Sequence, residues 1–249
     1  MLAVESEGRG PDLVLVHGWG LSRGLWRPLV EHLAPRFRVH LVDLPGHGAS
    51  PWTQAGNLDD WSEAVLAAVP APAAWVGWSL GGLVALRAAA RRPEAVSALI
   101  LVAATPRFVR GADWPCALDA DVLSGFEQQM HDDWRHTLRR FLALQVRGAE
   151  AATDTLRLLK AALEAGPPDP RALRAGLALL RDSDLRAELE RLAVPCHLLL
   201  GGRDSLVPAA VAAALPGLAA VVIEGAGHAP FLSHPDECAR HLQHWLAAS

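Results

Sequence analysis

The chain has 249 residues, a hydrophobic fraction of 51%, a charged fraction of 20% and a net charge of −4. That length buries a full core as one α/β domain with an insertion or as two small domains, and the composition excludes disorder. The negative balance argues against a nucleic-acid partner, and no apolar run free of charge and proline reaches membrane-spanning length.

Met1 to Gly10 reads as a short polar strand and lacks the basic-then-apolar pattern of a secretory signal. Short, continuously apolar runs then alternate with helical stretches. These runs are Asp12 to Val16, Arg38 to Val42, Ala73 to Gly77, Ala98 to Ala103, Cys196 to Leu200 and Ala219 to Ile223. The pattern predicts a mostly parallel sheet with helices on both faces. Turns rich in glycine and polar groups follow the C-terminal ends of the runs, the edge that holds active sites in open α/β sheets.

Between Pro106 and about Leu192 the strand rhythm stops. Helices are expected at about Ala120 to Gln145, Glu150 to Glu164 and Pro170 to Leu180, with breaks at Gly148 and at Gly166-Pro167-Pro168. The stretch is too long for a loop and has its own apolar faces, so it reads as an inserted helical cap. The expected organisation is a core of 1–105 and 193–249 with a cap of 106–192.

Cys116, Cys196 and Cys238 are odd in number and far apart, and no C-x-x-C occurs, so neither a disulfide framework nor a zinc site is indicated. The cytoplasm is the expected compartment and a monomer the expected state. No metal is expected. The glycine-rich turns form neither G-x-G-x-x-G nor a Walker sequence, so no cofactor is expected either. Lys160 is the sole lysine among 23 basic residues. The bias fits a GC-rich genome, and it also fits bidentate binding of phosphate or carboxylate.

Gly77-Trp78-Ser79-Leu80-Gly81-Gly82 follows the third of the apolar runs and precedes a helical stretch. A serine at a strand–turn–helix apex resembles the nucleophile elbow of α/β-hydrolases. Acyl transfer by serine needs a base, a group that orients the base, and donors for the oxyanion. His228, in Gly227-His228-Ala229-Pro230 after the last run, is the best base. His17 is its chief rival, but it precedes the serine and sits in an oxyanion-type turn. Asp204 is the best orienter, 24 residues before His228; the alternative is a turn or helix-cap role ahead of Pro208. Asp43 is expected to brace the Leu44-Pro45-Gly46-His47-Gly48 turn. The backbone N–H groups of Leu80 and of Trp19, in His17-Gly18-Trp19-Gly20, are the expected oxyanion donors.

Across nearly the whole chain the sequence resembles the pimeloyl-[acyl-carrier protein] methyl ester esterases of biotin synthesis. The resemblance is carried by HGWGL (17–21), LVDLPGHG (41–48), WVGWSLGGLVA (75–85), DVLSGF (121–126), RFLALQ (140–145) and HAPFLSHP (228–235). It implies the α/β-hydrolase fold and a carboxylesterase that unmasks the far carboxylate of a carrier-bound pimeloyl chain. It also implies substrate contacts at Trp19, Leu21, Trp78 and Phe141, although the last three could equally be ordinary core. Carrier contacts are implied at four cap positions, of which Arg140 and Arg157 match while His136 and Thr153 do not. Arg135, Arg139 or Arg147 is expected to stand in for them, since Trp134 to Lys160 carries a charge of +4 and leaves −8 on the rest. A general short-chain esterase, a C–C bond hydrolase and a non-catalytic ligand-binding protein are the alternatives on the same fold.

Overall fold

The structure is a computed structural model and describes residues 1–53 and 56–247. Residues 54, 55, 248 and 249, which fall within the expected core segments, lie outside the described residues. Strands and helices follow in this order: β1 (Val4–Gly8), β2 (Asp12–Val16), α1 (Arg27–Leu33), β3 (Arg38–Val42), α2 (Leu58–Leu66), β4 (Ala73–Trp78), α3 (Leu80–Arg91) and β5 (Val96–Val102). Helices α4 (Ala120–Asp132), α5 (Trp134–Gln145), α6 (Ala152–Ala165), α7 (Pro170–Asp182) and α8 (Arg186–Glu190) come next. The chain then returns to the sheet as β6 (Cys196–Gly201), α9 (Val211–Ala214), β7 (Ala219–Ile223), α10 (Pro230–Ser233) and α11 (Pro235–Ala247).

Among the described residues, seven strands form one sheet in the order β1-β3-β2-β4-β5-β6-β7. Only β1 runs antiparallel to its neighbour. In β2, Leu13 to Val16 are all buried, as are Ala98 to Val102 in β5. Successive side chains on a strand point to opposite faces, so continuous burial means that both faces are covered. Helix α2 packs on α3, and α1 packs on α11. The C-terminal ends of β2, β4, β6 and β7 lie on one edge of the sheet, because these strands are parallel.

The helical segment departs from its expected form at two places. The continuous helix expected from Ala120 to Gln145 is broken at Asp133, whose backbone is extended at φ −148°, ψ 91°. Its carboxylate accepts the His136 N–H at 3.0 Å, so Asp133 caps α5 instead of continuing α4. An aspartate offers the backbone this local bond as an alternative to helix. Helix α5 then turns back to pack on α4, and α4 on α7. The short helix α8 was not expected.

Candidate active site

Strand β4 delivers Ser79 at φ 54°, ψ −119°, a positive φ that a non-glycine residue adopts only where its surroundings enforce it. The glycines around it make the turn possible. A Cβ on Gly77 would lie 2.5 Å from the Gly81 carbonyl oxygen, and one on Gly81 would lie 2.3 Å from that of Val16. Helix α3 begins at the next residue, so the positive end of its dipole faces the serine.

The loops after β6 and β7 bring the other two side chains to Ser79. His228 Nε2 lies 2.9 Å from Ser79 Oγ, and His228 Nδ1 lies 2.8 Å from Asp204 Oδ2. All three are almost withdrawn from solvent, at 3% exposure for Ser79, 7% for Asp204 and 1% for His228. Since a carboxylate can only accept, Nδ1 carries the proton and Nε2 is left to accept from the serine hydroxyl. Asp204 also fills its alternative role. Its other oxygen accepts the N–H groups of Leu206 and Val207 at 2.8 and 3.1 Å, which fixes the carboxylate plane. Arg203 beside it is exposed, and its backbone N–H donates to the Ala226 carbonyl.

His228 is also held through its backbone. The His228 N–H donates to the Gln145 carbonyl at the end of α5 at 3.0 Å, and the Trp78 indole N–H donates to the His228 carbonyl at 2.7 Å. Sequence reasoning gave no sign of either bond. Trp78 is 5.7 Å from the His228 ring by centroid and meets Phe231 edge-on at 5.2 Å.

His17 makes no hydrogen bond to Ser79. It lies in the loop after β2, where it binds only backbone groups: Nδ1 meets the Gly18 carbonyl at 2.8 Å and Nε2 meets the Leu44 N–H at 3.0 Å. Burial pushes its pKa down to about 4, so the ring is neutral at ordinary pH. His47 lies 5.3 Å away by ring centroid and is likewise pushed down, to about 3, first by burial and then by His17. Asp43 braces the turn that holds them. It accepts the N–H groups of Ala49 and Arg23 and forms an ion pair with the Arg23 guanidinium.

Gly18 presses on Ser79: a Cβ there would sit 3.2 Å from Ser79 Cβ. The N–H groups of Trp19 and Leu80 have no acceptor among the described residues. A buried donor without a partner is costly. The Trp19 ring meets Phe141 of α5 edge-on at 4.8 Å, and Phe141 meets Phe126 of α4 at 5.5 Å. Leu21 is buried close by in the chain. Leu21, Trp78 and Phe141 are buried in the hydrophobic core, as is Trp19. The structure thus brings Ser79, Asp204 and His228 into one hydrogen-bonded chain, with Gly18 packed against Ser79.

The basic side chains Arg135, Arg139, Arg140, Arg147 and Arg157 are all exposed, on α5, α6 and the turn between them. Arg157 is paired with Asp154 at 3.4 Å and Arg140 binds Gln129. Arg135, Arg139 and Lys160 line a cleft of about 410 Å³ with Trp134, Leu163, Glu164 and Pro167. Arg135 stacks over the Trp134 ring at 4.3 Å, and among the described residues no carboxylate lies within 4 Å of Arg135, Arg139, Arg147 or Lys160.

This sheet and site define the class. Residues 13–241 match the alpha/beta hydrolase family, and the chain belongs to that family. Solved structures with the same fold include a bromoperoxidase from Bacillus anthracis, with a TM-score of 0.88, 22% identity and coverage of 99% of this chain and 95% of that one. An esterase from Exiguobacterium antarcticum gives a TM-score of 0.85 at 20% identity, with coverage of 99% and 95%. Within the family the chain groups with the pimeloyl-[acyl-carrier protein] methyl ester esterases. It is 51% identical to that of Xanthomonas campestris pv. campestris (strain B100) over 97% of each chain. It is 49% identical to that of Stenotrophomonas maltophilia (strain K279a) over 98% of this chain and 96% of the relative.

Proposed function

We propose that the protein is a serine carboxylesterase that hydrolyses the methyl ester of pimeloyl-[acyl-carrier protein] to free pimeloyl-[acyl-carrier protein] and methanol, in biotin biosynthesis. The observation that carries this reading is about 50% identity, over nearly the full chain, to esterases bearing that name. A likeness confined to the elbow and the histidine loop would fit many hydrolases; this one runs through α4 to α8 as well.

Ser79, His228 and Asp204 are the nucleophile, base and orienting acid. As Ser79 Oγ attacks the ester carbonyl, its proton passes to His228 Nε2 and the imidazolium is stabilised by Asp204. The oxyanion is received by the N–H groups of Trp19 and Leu80. Methoxide leaves with the proton from His228, as methanol. Water then repeats the sequence on the acyl-enzyme and frees the carboxylate and Ser79. No cofactor takes part. Leu21, Trp78 and Phe141, with the Trp19 ring, form the apolar wall for the acyl chain.

Residues 106–192 act as the cap over this site and carry the carrier-binding surface. Arg140 and Arg157 match the family's contacts but are engaged with neighbours on the protein. Arg135, Arg139 and Arg147 have no carboxylate within 4 Å among the described residues, which supports their serving an acidic carrier.

The test is methanol release from the carrier-linked methyl ester by purified protein, beside a small chromogenic ester and a vinylogous diketone. Strong preference for the carrier-linked ester is expected. Equal rates on the small ester would return the protein to a general esterase, and cleavage of the diketone alone to a C–C bond hydrolase.

A further inference from the structure

His17 and His47 are fully buried, yet neither touches substrate chemistry, and every hydrogen bond that they make is to backbone. We infer that the two imidazoles are positioning residues that set the aim of the Trp19 N–H by clamping the peptide planes on either side of it. The inference rests on the reading of that N–H as an oxyanion donor and deepens it.

The geometry of one peptide plane makes the link. The Gly18 carbonyl and the Trp19 N–H belong to the same planar unit and point in opposite directions when it is trans. The carbonyl is taken by His17 Nδ1–H at 2.8 Å. Fixing the oxygen therefore fixes where the N–H points. The next plane carries the Gly20 N–H, which donates to His47 Nε2 at 3.2 Å. Trp19 is thus held at both of its peptide bonds.

The other nitrogens anchor the clamps. His17 Nε2 accepts the Leu44 N–H at 3.0 Å, and His47 Nδ1–H donates to the Pro45 carbonyl at 3.0 Å. A carbonyl can only accept and an amide N–H can only donate, so each ring must be neutral with its proton on Nδ1. The fourfold pairing has no alternative tautomer. The charged groups near the two rings are Asp43, 4.0 Å from His17 Nε2, with Arg23 behind it, and Asp169 near His47.

The loop is closely packed at two points. A Cβ at Gly20, where φ is +77°, would strike Leu138 of α5 at 2.5 Å, and Gly18 already presses on Ser79. An apolar side chain in place of either histidine would fill the volume but leave buried backbone groups unpaired, which drives the loop to turn toward other partners. Displacing a catalytic donor by about 1 Å costs on the order of 10²-fold in rate.

The test compares His17→Leu, which removes the clamp, with His17→Asn, whose amide N–H can still reach the Gly18 carbonyl. A small chromogenic ester is the substrate and thermal unfolding monitors the fold. In His17→Leu, kcat is expected to fall about 10- to 100-fold with KM within about threefold. His17→Asn is expected to stay within about threefold of wild type. Affinity for a trifluoromethyl ketone, which adds Ser79 Oγ to its carbonyl and places the resulting oxyanion on the donors, falls in step with kcat. A folded His17→Leu with wild-type kcat overturns the inference, as does a loss confined to KM.

Should His17→Leu not fold, the wild-type protein answers instead. Nitrogen-15 NMR is expected to find both rings neutral and protonated at Nδ1, free and with the ketone bound. An Nε2-protonated or cationic ring overturns the clamp. If Ser79→Ala keeps its activity, the reading of the site itself fails. If Ser79→Ala is inert while folded His17→Leu is not impaired, only the clamp fails.

Discussion

The Trp19 indole N–H donates to the Leu173 carbonyl at 2.8 Å, a bond between residues 154 positions apart that ties the loop after β2 to helix α7. The approach is possible because α7 has no side chain at Gly176, where a Cβ would lie 2.6 Å from Trp19 Cδ1. The helix that joins the two is amphipathic and otherwise rich in leucine and alanine. A glycine in its interior costs about 1 kcal/mol of helix propensity relative to alanine, which the contact with Trp19 offsets.

Two substitutions separate the parts of this contact. Trp19→Phe keeps the apolar ring and removes the donor, and is expected to cost about 1 kcal/mol of stability. Gly176→Ala would improve α7 as an isolated helix, yet is expected to destabilise the protein by about 1–3 kcal/mol through overpacking against Trp19. Urea denaturation of both variants checks this; a stabilised Gly176→Ala would show that the ring yields freely.

Ser79→Ala is expected to abolish ester turnover while the protein remains folded. Because Ser79 is held at positive φ, Ser79→Gly is expected to be inactive but more stable than Ser79→Ala, by about 1 kcal/mol or more. Asp204→Asn leaves an oxygen for the Leu206 and Val207 N–H groups and turns an amide N–H toward His228 Nδ1, which disfavours the productive tautomer. A loss of about 10⁴ in kcat with a near-normal melting temperature is expected, by analogy with other triads. Steady-state kinetics and thermal unfolding together test all three.

The buried neutral histidines predict how stability depends on pH. His17 at about 4 and His47 at about 3 lie below the unfolded value of about 6.5. Between those values the unfolded chain binds more protons than the folded one, so stability rises with pH. Their contribution is full above about pH 6.5 and is lost as pH falls toward 4 and then 3. Denaturation midpoints measured from pH 7 to 4 are expected to fall, and the slope is expected to be shallower in His47→Gln, which cannot be protonated. An unchanged slope would remove His47 from the titration.

Charge reversal at Arg135 and Arg139 addresses the carrier. The double change to glutamate is expected to raise KM for the carrier-linked ester at least tenfold and to leave the small ester within twofold. The wild-type advantage should shrink as salt rises, since exposed charges are screened. If Arg140→Glu and Arg157→Glu have the larger effect, the family's own positions carry the contact here too.

Strands β2 to β7 were legible because each is short, apolar and followed by a polar turn, and their bounds fall within two residues of those expected, whereas the polar strand expected over Met1 to Gly10 is the shorter Val4–Gly8. The helix break at Asp133 was not, because an aspartate next to a tryptophan does not signal whether its carboxylate faces solvent or its own backbone. Lys160 is basic in the sequence, but only the packing of α5 against α6 puts it in a cleft with Arg135 and Arg139.

By itself the sequence determined the parallel sheet, the sharp turn at Ser79 and the order of serine, acid and histidine, all of which follow from local pattern and spacing. Tertiary structure alone decided that His17 bonds to backbone and not to Ser79, that both Asp204 oxygens are used, and that Trp78 and Gln145 hold the His228 loop. These are contacts between residues far apart in the chain. Hydrogen bonds to backbone leave almost no trace in residue type, because any residue can supply the amide or carbonyl that completes them.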